Sequence, residues 1–260
     1  MTSMSEPGSG ALEGLRILEV AGLCSAYAGR LFAGMGADVI LVEPPAGAAH
    51  RRQGPFIDNV PSIERSLTFT YLHAGKRSVT LDLDTADGQA LFRKLAATAS
   101  VVVESEPVGV MRARGLDYAS LKEINPALVY TSITPFGSDG PYKEYVANDL
   151  ILLAMGGLLT LGGYAEAEPT RAPGDQALLA GGQFGAIGTM MAVLDAEESG
   201  AGQFVDVSVQ ECVTTGAEAV VWKTLRVPAS IRARTARSSS APGRQVPDGW
   251  SLWNGWRAKG

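Results

Sequence analysis

The sequence predicts an α/β protein built on a mostly parallel sheet with helices on both faces. Three observations carry that prediction. Short apolar, β-branched runs alternate with longer helix-compatible stretches, and loops rich in Gly, Ser, Asp and Pro follow several of the runs. The 260 residues are 46% hydrophobic and 19% charged, enough apolar material for a sizeable core.

The first unit is βαβ. "LRILEVA" (15–21) and "ADVILVEPP" (37–45) read as strands, and "CSAYAGRLFAGMG" between them is rich in small helix-compatible residues. "RSVTLDL" (77–83) continues the series as a strand. "DTADGQALFRKLAATA" (84–99) follows as a helix that Asp or Thr can cap, with Ala90, Leu91 and Leu95 on one face. Next come a strand in "SVVVES" (100–105), a helical "DYASLKEIN" (117–125) ending before Pro126, and a strand in "ALVYTSITPFG" (127–137). "LILLAMGGLLTLGGY" (150–164) is shorter than the roughly 20 residues a bilayer span needs and reads as a core element, so no membrane partner is expected. "GDQALLAGGQFGAIGTMMAVLDAEESG" is one long helix whose glycines permit close packing, and "GQFVDVSVQE" supplies a strand and the start of another helix.

Charge and motifs narrow the function classes. Asp and Glu outnumber Lys and Arg by 27 to 22, so a general nucleic-acid surface is excluded and any anion site must be local. "GVMRARG" (109–115) is such a local feature, with Arg112 and Arg114 just after an apolar run. Cys24 and Cys212 lie far apart without a CxxC, which points to buried free thiols in a reducing compartment and gives no zinc or other metal signature. The polar start "MTSMSEPGSGALEG" has no signal-peptide pattern, so the expected compartment is the cytoplasm. GxxxxGK[ST], GxGxxG and GxSxG are all absent. His50 and His73 are the only histidines, and His73 reads as structural or solvated. From about Arg226 the composition turns rich in Arg, Ser, Pro and Gly. Arg232, Arg234 and Arg237 read as a linker or subunit-contact segment rather than an RNA arm, and Trp250, Trp253 and Trp256 call for a packing partner.

Taken in order, "LEGLRILEVAGLCSAYAGRLFAGMGADVILVEPP", "YLHAGKRSVTLDL", "VVVESEPVGVMRARGLDYASLKEINPALVYTSITPFGSDGPY", "NDLILLAMGGLLTLGG" and "SGAGQFVDVSVQE" resemble the class III CoA-transferases, the formyl-CoA transferase, CaiB/BaiF and α-methylacyl-CoA racemase family. The resemblance is collinear over roughly residues 12–225. It implies a Rossmann-like CoA-binding large domain (12–200) after a disordered N-terminus (1–11), a strand and linker helix (201–228), and a linker with the start of a largely missing small domain (229–260). It also implies interlocked subunits, as a homodimer or as a heteromer with a related chain, and coenzyme A or acyl-CoA plus a carboxylic acid as substrates. The CoA-binding positions that match are Leu23, Cys24, Ser25, Ala26, Gly75, Lys76, Arg77, Ser105, Glu106, Arg112 and Arg114. Lys76, Arg77, Arg112 and Arg114 are expected to offer cationic donors to the phosphates from strand-end loops.

Transferases of this family use an Asp that attacks the thioester, giving a mixed anhydride and then an aspartyl-CoA thioester. Here the family position, four residues before Gly182, holds Leu178. Asp175 stands three residues earlier and is the displaced candidate nucleophile; its competing role is a helix N-cap. The His-Asp pair of the racemases is replaced by Asn148 and Asp149, which disfavours α-carbon racemisation. Two functions are therefore expected as alternatives: CoA transfer between an acyl-CoA and a carboxylic acid, or a non-catalytic CoA-binding subunit of a heteromeric CoA-transferase.

Overall fold

The computed structural model describes residues 10–163 and 167–224, with side chains through residue 216. The arginines at 232, 234 and 237, the three tryptophans and the proposed linker and small-domain entry lie outside the described residues. The described residues up to Ala217 form one compact unit.

Six strands build one sheet in the order β3-β2-β1-β4-β5-β6, with every neighbouring pair parallel. They are β1 (Arg16–Val20), β2 (Asp38–Glu43), β3 (Arg77–Thr80), β4 (Val101–Glu104), β5 (Val129–Thr134) and β6 (Phe204–Ser208). The helices are α1 (Ala26–Gly34), α2 (Leu67–Leu72), α3 (Ala86–Ala96), the single turns α4 (Val110–Ala113) and α5 (Tyr118–Leu121), then α6 (Asp149–Met155), α7 (Gln176–Ser199) and α8 (Val209–Thr224).

Strand side chains alternate between the two faces of the pleat. Ile17, Val101, Val103, Val129 and Ile133 join Phe32, Leu152 and Val193 in one core, and Leu18, Val20, Val102 and Tyr130 join Phe92, Leu116 and Leu121 in the other. The sheet is thus buried on both sides, which is why its strands read as continuous apolar runs rather than alternating ones.

Three local expectations are corrected. The buried stripe of α3 is Gly88, Phe92 and Ala96, spaced four apart, with Leu95 packed beside it; Leu91 is 47% exposed and Ala90 faces solvent. Thr85, whose hydroxyl accepts from the Gly88 N–H, sets the start of the helix and hence this phase. The edge strand β3 stops at Thr80, although Leu81 and Leu83 continue into the core. The 150–164 stretch is only partly core: Leu152 and Leu153 are buried, whereas Leu150, Ile151 and Met155 are exposed.

The long helix α7 is apolar and long enough to cross a membrane by composition alone. Its Gly and Ala face explains the composition otherwise. Gly182 lies so close to α1 that a Cβ there would sit 2.8 Å from the Tyr27 Cβ and 3.0 Å from the Ala28 nitrogen. A helix packed that tightly on its neighbour belongs to the core.

Candidate active site

The strand order reverses between β1 and β4, since β1, β2 and β3 run to one side and β4, β5 and β6 to the other. Ligands of such sheets bind beyond the carboxyl ends of the two central strands. There Ser25 donates from its hydroxyl to the Val20 carbonyl (3.2 Å), and Ser105 donates to the Ser25 Oγ (3.3 Å). Gly22 is required at this crossing, because a Cβ would fall 1.9 Å from the Ser105 Oγ.

The loop after β1 turns most of its expected ligand side chains inward. Ser25 and Ala26 are fully buried, and Cys24 is a core residue. Its thiol is pushed up to about 12 by burial, reinforced by the nearby Glu104 charge, so it is not a nucleophile at neutral pH. Leu23 alone points outward, 44% exposed.

Lys76 and Arg77 do not sit as phosphate donors on strand-end loops. The Lys76 side chain is 1% exposed, with Nζ 2.6 Å from Glu19 Oε2. That contact is an ion pair rather than an aligned hydrogen bond, and Nζ also donates to the Ala26 carbonyl at 2.8 Å. Arg77 opens β3 at the amino-terminal edge of the sheet, where its guanidinium and that of Arg16 both hold Asp38. The reason is topological: "GKRS" precedes its strand, so Gly75 (φ +81°) and its neighbours form an entry turn rather than an exit loop. Arg114 is bound to Asp84 (2.9 Å) and lies 3.3 Å from Glu106, whereas Arg112 is mostly exposed and touches only Asp117 (3.3 Å).

Two cavities flank these strand ends. The first, of about 360 Å³, is lined by Glu104, Glu106, Arg112, Tyr130, Ser132 and Lys143 among others. Lys143 is a cation that the sequence reading did not single out, although it sits in the "GSDGPYKEY" loop beside residues that were. Burial raises Glu104 to about 7, and its neighbours Glu106 and Asp206 push the same way against hydrogen bonds from Ser132 and the Glu106 N–H. The second cavity, of about 300 Å³, brings Asp175 and Leu178 together with Leu23, Tyr27, His50 and Tyr71. A further cavity, of about 340 Å³, lies at the opposite edge of the sheet by Leu15, Ser100 and Asn125, away from this crevice.

Asp175 occupies the N-cap position of α7, yet its side chain makes no cap hydrogen bond. Asp149 does that work instead: its Oδ1 accepts from the N–H groups of Ala177 (2.7 Å) and Leu178 (3.4 Å). The helix therefore begins at Gln176, well before Gly182, and Leu178 lies in its first turn rather than in a loop. Asp175 is exposed and one turn from Leu178 on the same cavity wall.

A buried polar chain reaches that cavity from the core. Beyond Glu19 and Lys76, Lys76 Nζ is 3.1 Å from His73 Nδ1, and His73 Nε2 is 3.2 Å from His50 Nδ1. Gly29 makes room for the ion pair, since a Cβ there would lie 1.6 Å from Glu19 Oε2. Burial, and next the Lys76 charge, hold both imidazoles neutral, His50 at about 4 against the pull of Asp175. His73 and Lys76 are neighbours in the "HAGKRS" turn, but Glu19 and His50 join them only in the fold, because they lie 54 and 23 residues before His73.

Comparison with known proteins agrees with this fold. The family described as CoA-transferase family III matches residues 12–248. The chain is 41% identical over 196 residues to the succinyl-CoA:(R)-benzylsuccinate CoA-transferase subunit BbsE of Thauera aromatica, covering 75% of this chain and 48% of that protein. It is 38% identical to the succinate–glutarate CoA-transferase of Agrobacterium fabrum, covering 76% and 50% respectively. It thus spans about half the length of these curated relatives. Among solved structures, a CaiB/BaiF family protein from Brucella suis superposes with a TM-score of 0.76 at 37% identity, covering 84% of this chain and 58% of that one. Rv3272 from M. tuberculosis gives a TM-score of 0.74 at 29% identity, covering 85% and 61%. With the parallel sheet, the crevice at the strand reversal and the family match in place, the chain belongs to CoA-transferase family III.

Proposed function

We propose that this chain transfers CoA between an acyl-CoA thioester and a carboxylic acid, with Asp175 as nucleophile. The observation that carries the reading is the Asp175 carboxylate: it stands at the start of α7, free of cap bonds, on the wall of a cavity beside the strand ends. In this mechanism the carboxylate oxygen attacks the thioester carbonyl carbon, the C–S bond breaks and CoA leaves as thiolate, giving a mixed anhydride. The thiolate then attacks the aspartyl carbonyl and the donor acid departs as carboxylate. The acceptor acid repeats both steps in reverse and regenerates Asp175, with no net redox change. Arg112 and Lys143 beside the first cavity supply the cationic end for the CoA phosphates, and Leu23, Tyr27 and Tyr71 line the acyl end.

A second reading rests on one residue. Leu178 stands where the resemblance places the family's nucleophile, and a leucine there suits a subunit that binds CoA beside a related chain carrying the carboxylate. The BbsE relative is itself named as a subunit. In either reading we place the protein in the cytoplasm, as a homodimer or a heteromer.

Mass spectrometry separates the two. Incubation with succinyl-CoA followed by hydroxylamine or borohydride is expected to leave an adduct on Asp175 that Asp175→Ala abolishes. CoA binding without an adduct overturns Asp175 as nucleophile and leaves the subunit reading. In the same preparation, the double change Arg112→Ala and Lys143→Ala is expected to weaken CoA binding in a salt-sensitive way; unchanged affinity would make them surface charges only.

A further inference from the structure

The buried chain from Glu19 to His50 has a direction. A protonated lysine has three N–H donors and no acceptor. Lys76 Nζ is paired with Glu19 Oε2 by charge, donates to the Ala26 carbonyl and lies 3.1 Å from His73 Nδ1. His73 Nδ1 must therefore be the bare nitrogen, and the proton sits on Nε2. The alternative, Nδ1–H donating to Glu19 Oε1, spans 3.8 Å, beyond hydrogen-bond reach. His73 Nε2–H then donates to His50 Nδ1, which leaves the His50 proton on Nε2. His50 lines the cavity with Asp175 and Leu178, and among the described residues its Nε2 has no protein partner and is not a buried orphan.

We propose that Glu19, Lys76 and His73 act as positioning residues that lock His50 in one tautomer, so that its Nε2–H donates to the carbonyl oxygen of an acyl thioester seated in the Leu23, Tyr27 and Tyr71 cavity. The proposal rests on the CoA-transfer reading and deepens it. A neutral donor suits this cavity. Apart from Asp175 its other lining groups are mostly apolar. A carbonyl oxygen that gains negative charge as the nucleophile attacks is then stabilised by a donor whose tautomer is already fixed. The charged and titratable groups around the two rings are Glu19, Glu43, Arg51, Lys76 and Asp175; burial first, and then the Lys76 charge, keeps both rings uncharged at neutral pH.

The chain has only two histidines, so ¹⁵N NMR of histidine-labelled protein reads both tautomers without overlap. Both are expected as Nε2–H, neutral at pH 7. An Nδ1–H or an imidazolium at His50 overturns the proposal. In binding assays with acetyl-CoA and free CoA, His50→Phe is expected to lower the acetyl-CoA affinity about five- to tenfold while leaving free CoA unchanged, the size of one net hydrogen bond. His73→Leu should reproduce that loss and release the His50 tautomer. His73→Gln, whose amide can accept from Lys76 and donate to His50, should restore both, which a purely structural role would not do. An unchanged ratio of the two affinities in His50→Phe overturns the inference alone. Wild-type chain that binds neither ligand overturns the CoA reading and this inference with it.

Discussion

Glu43 and Glu104 each end a strand, β2 and β4, and both are buried, yet they titrate in opposite directions. Burial pushes Glu43 up, but Arg51 in a two-pronged pair, the Ser78 hydroxyl and the Ala48 N–H outweigh it and hold the carboxyl at about 2. Glu104 has no cation against it, so burial wins and its pKa rises to about 7. A carboxyl whose folded pKa is raised binds its proton more tightly in the fold than in the unfolded chain. Its contribution is present below the unfolded value near 4.5 and is lost as pH rises through about 7. Glu104→Gln keeps an acceptor for the Glu106 N–H and removes the charge. The variant should match the wild type near pH 4 and exceed it by roughly 1–3 kcal/mol at pH 8, read from urea midpoints at both pH values. Equal stability at pH 8 would mean that water reaches this carboxylate. Neither carboxyl's behaviour was legible in the sequence, where both appear simply as the acidic residue closing an apolar run. Each has an arginine eight residues on, and what separates them is contact: Arg51 folds back onto Glu43, whereas Arg112 pairs with Asp117 instead of Glu104.

Helix α7 shows how far an element can be read from its own residues. Its existence and small-residue packing were legible, because a run of Gly and Ala between strand signals has few other uses. Its start at Gln176 was legible too, from Asp175 in the N-cap position; the capping bond was not, because the group that makes it is Asp149, on α6 and remote in sequence. Asp175 looked like the cap, being the right residue type just before the helix; the structure gives it that position without the bond. The phase of α3 was missed for a related reason: Leu91 and Phe92 are adjacent and apolar, and only the sheet decides which of them is buried. Asp149→Ala should therefore destabilise the protein by about 1–2 kcal/mol, the usual size of a lost helix cap. Asp149→Asn, which keeps the accepting oxygen, should cost much less. Hydrogen exchange at the Ala177 and Leu178 amides is the local readout, expected to speed up in the Ala variant ahead of the rest of α7. If Ala and Asn behave alike, Asp149 contributes through charge rather than as an acceptor.

Over the whole described unit, burial is lopsided on α7. One side of the helix, including Gly181, Gly182, Gly185, Thr189 and Val193, packs into the core. The other carries Phe184, Ile187, Met191 and Leu194 at 39%, 52%, 68% and 62% exposure. Those four are spaced by three and four residues, so they form a continuous apolar stripe along roughly three turns. A stripe of that kind on a protein surface calls for a cover. The interlocked assembly implied by the family resemblance would supply one in the form of a second chain of the same family. Such burial would also account for a helix whose composition alone could pass for a membrane span. Replacing Met191 and Leu194 together by Glu changes only exposed positions, so the fold should survive, with circular dichroism unchanged. Light scattering after gel filtration should find the wild type at a multiple of the chain mass and the double variant shifted to a single chain. A wild type that runs as a stable monomer at micromolar concentration would mean that a different polypeptide covers α7. A variant that stays assembled would place the contact elsewhere on the molecule.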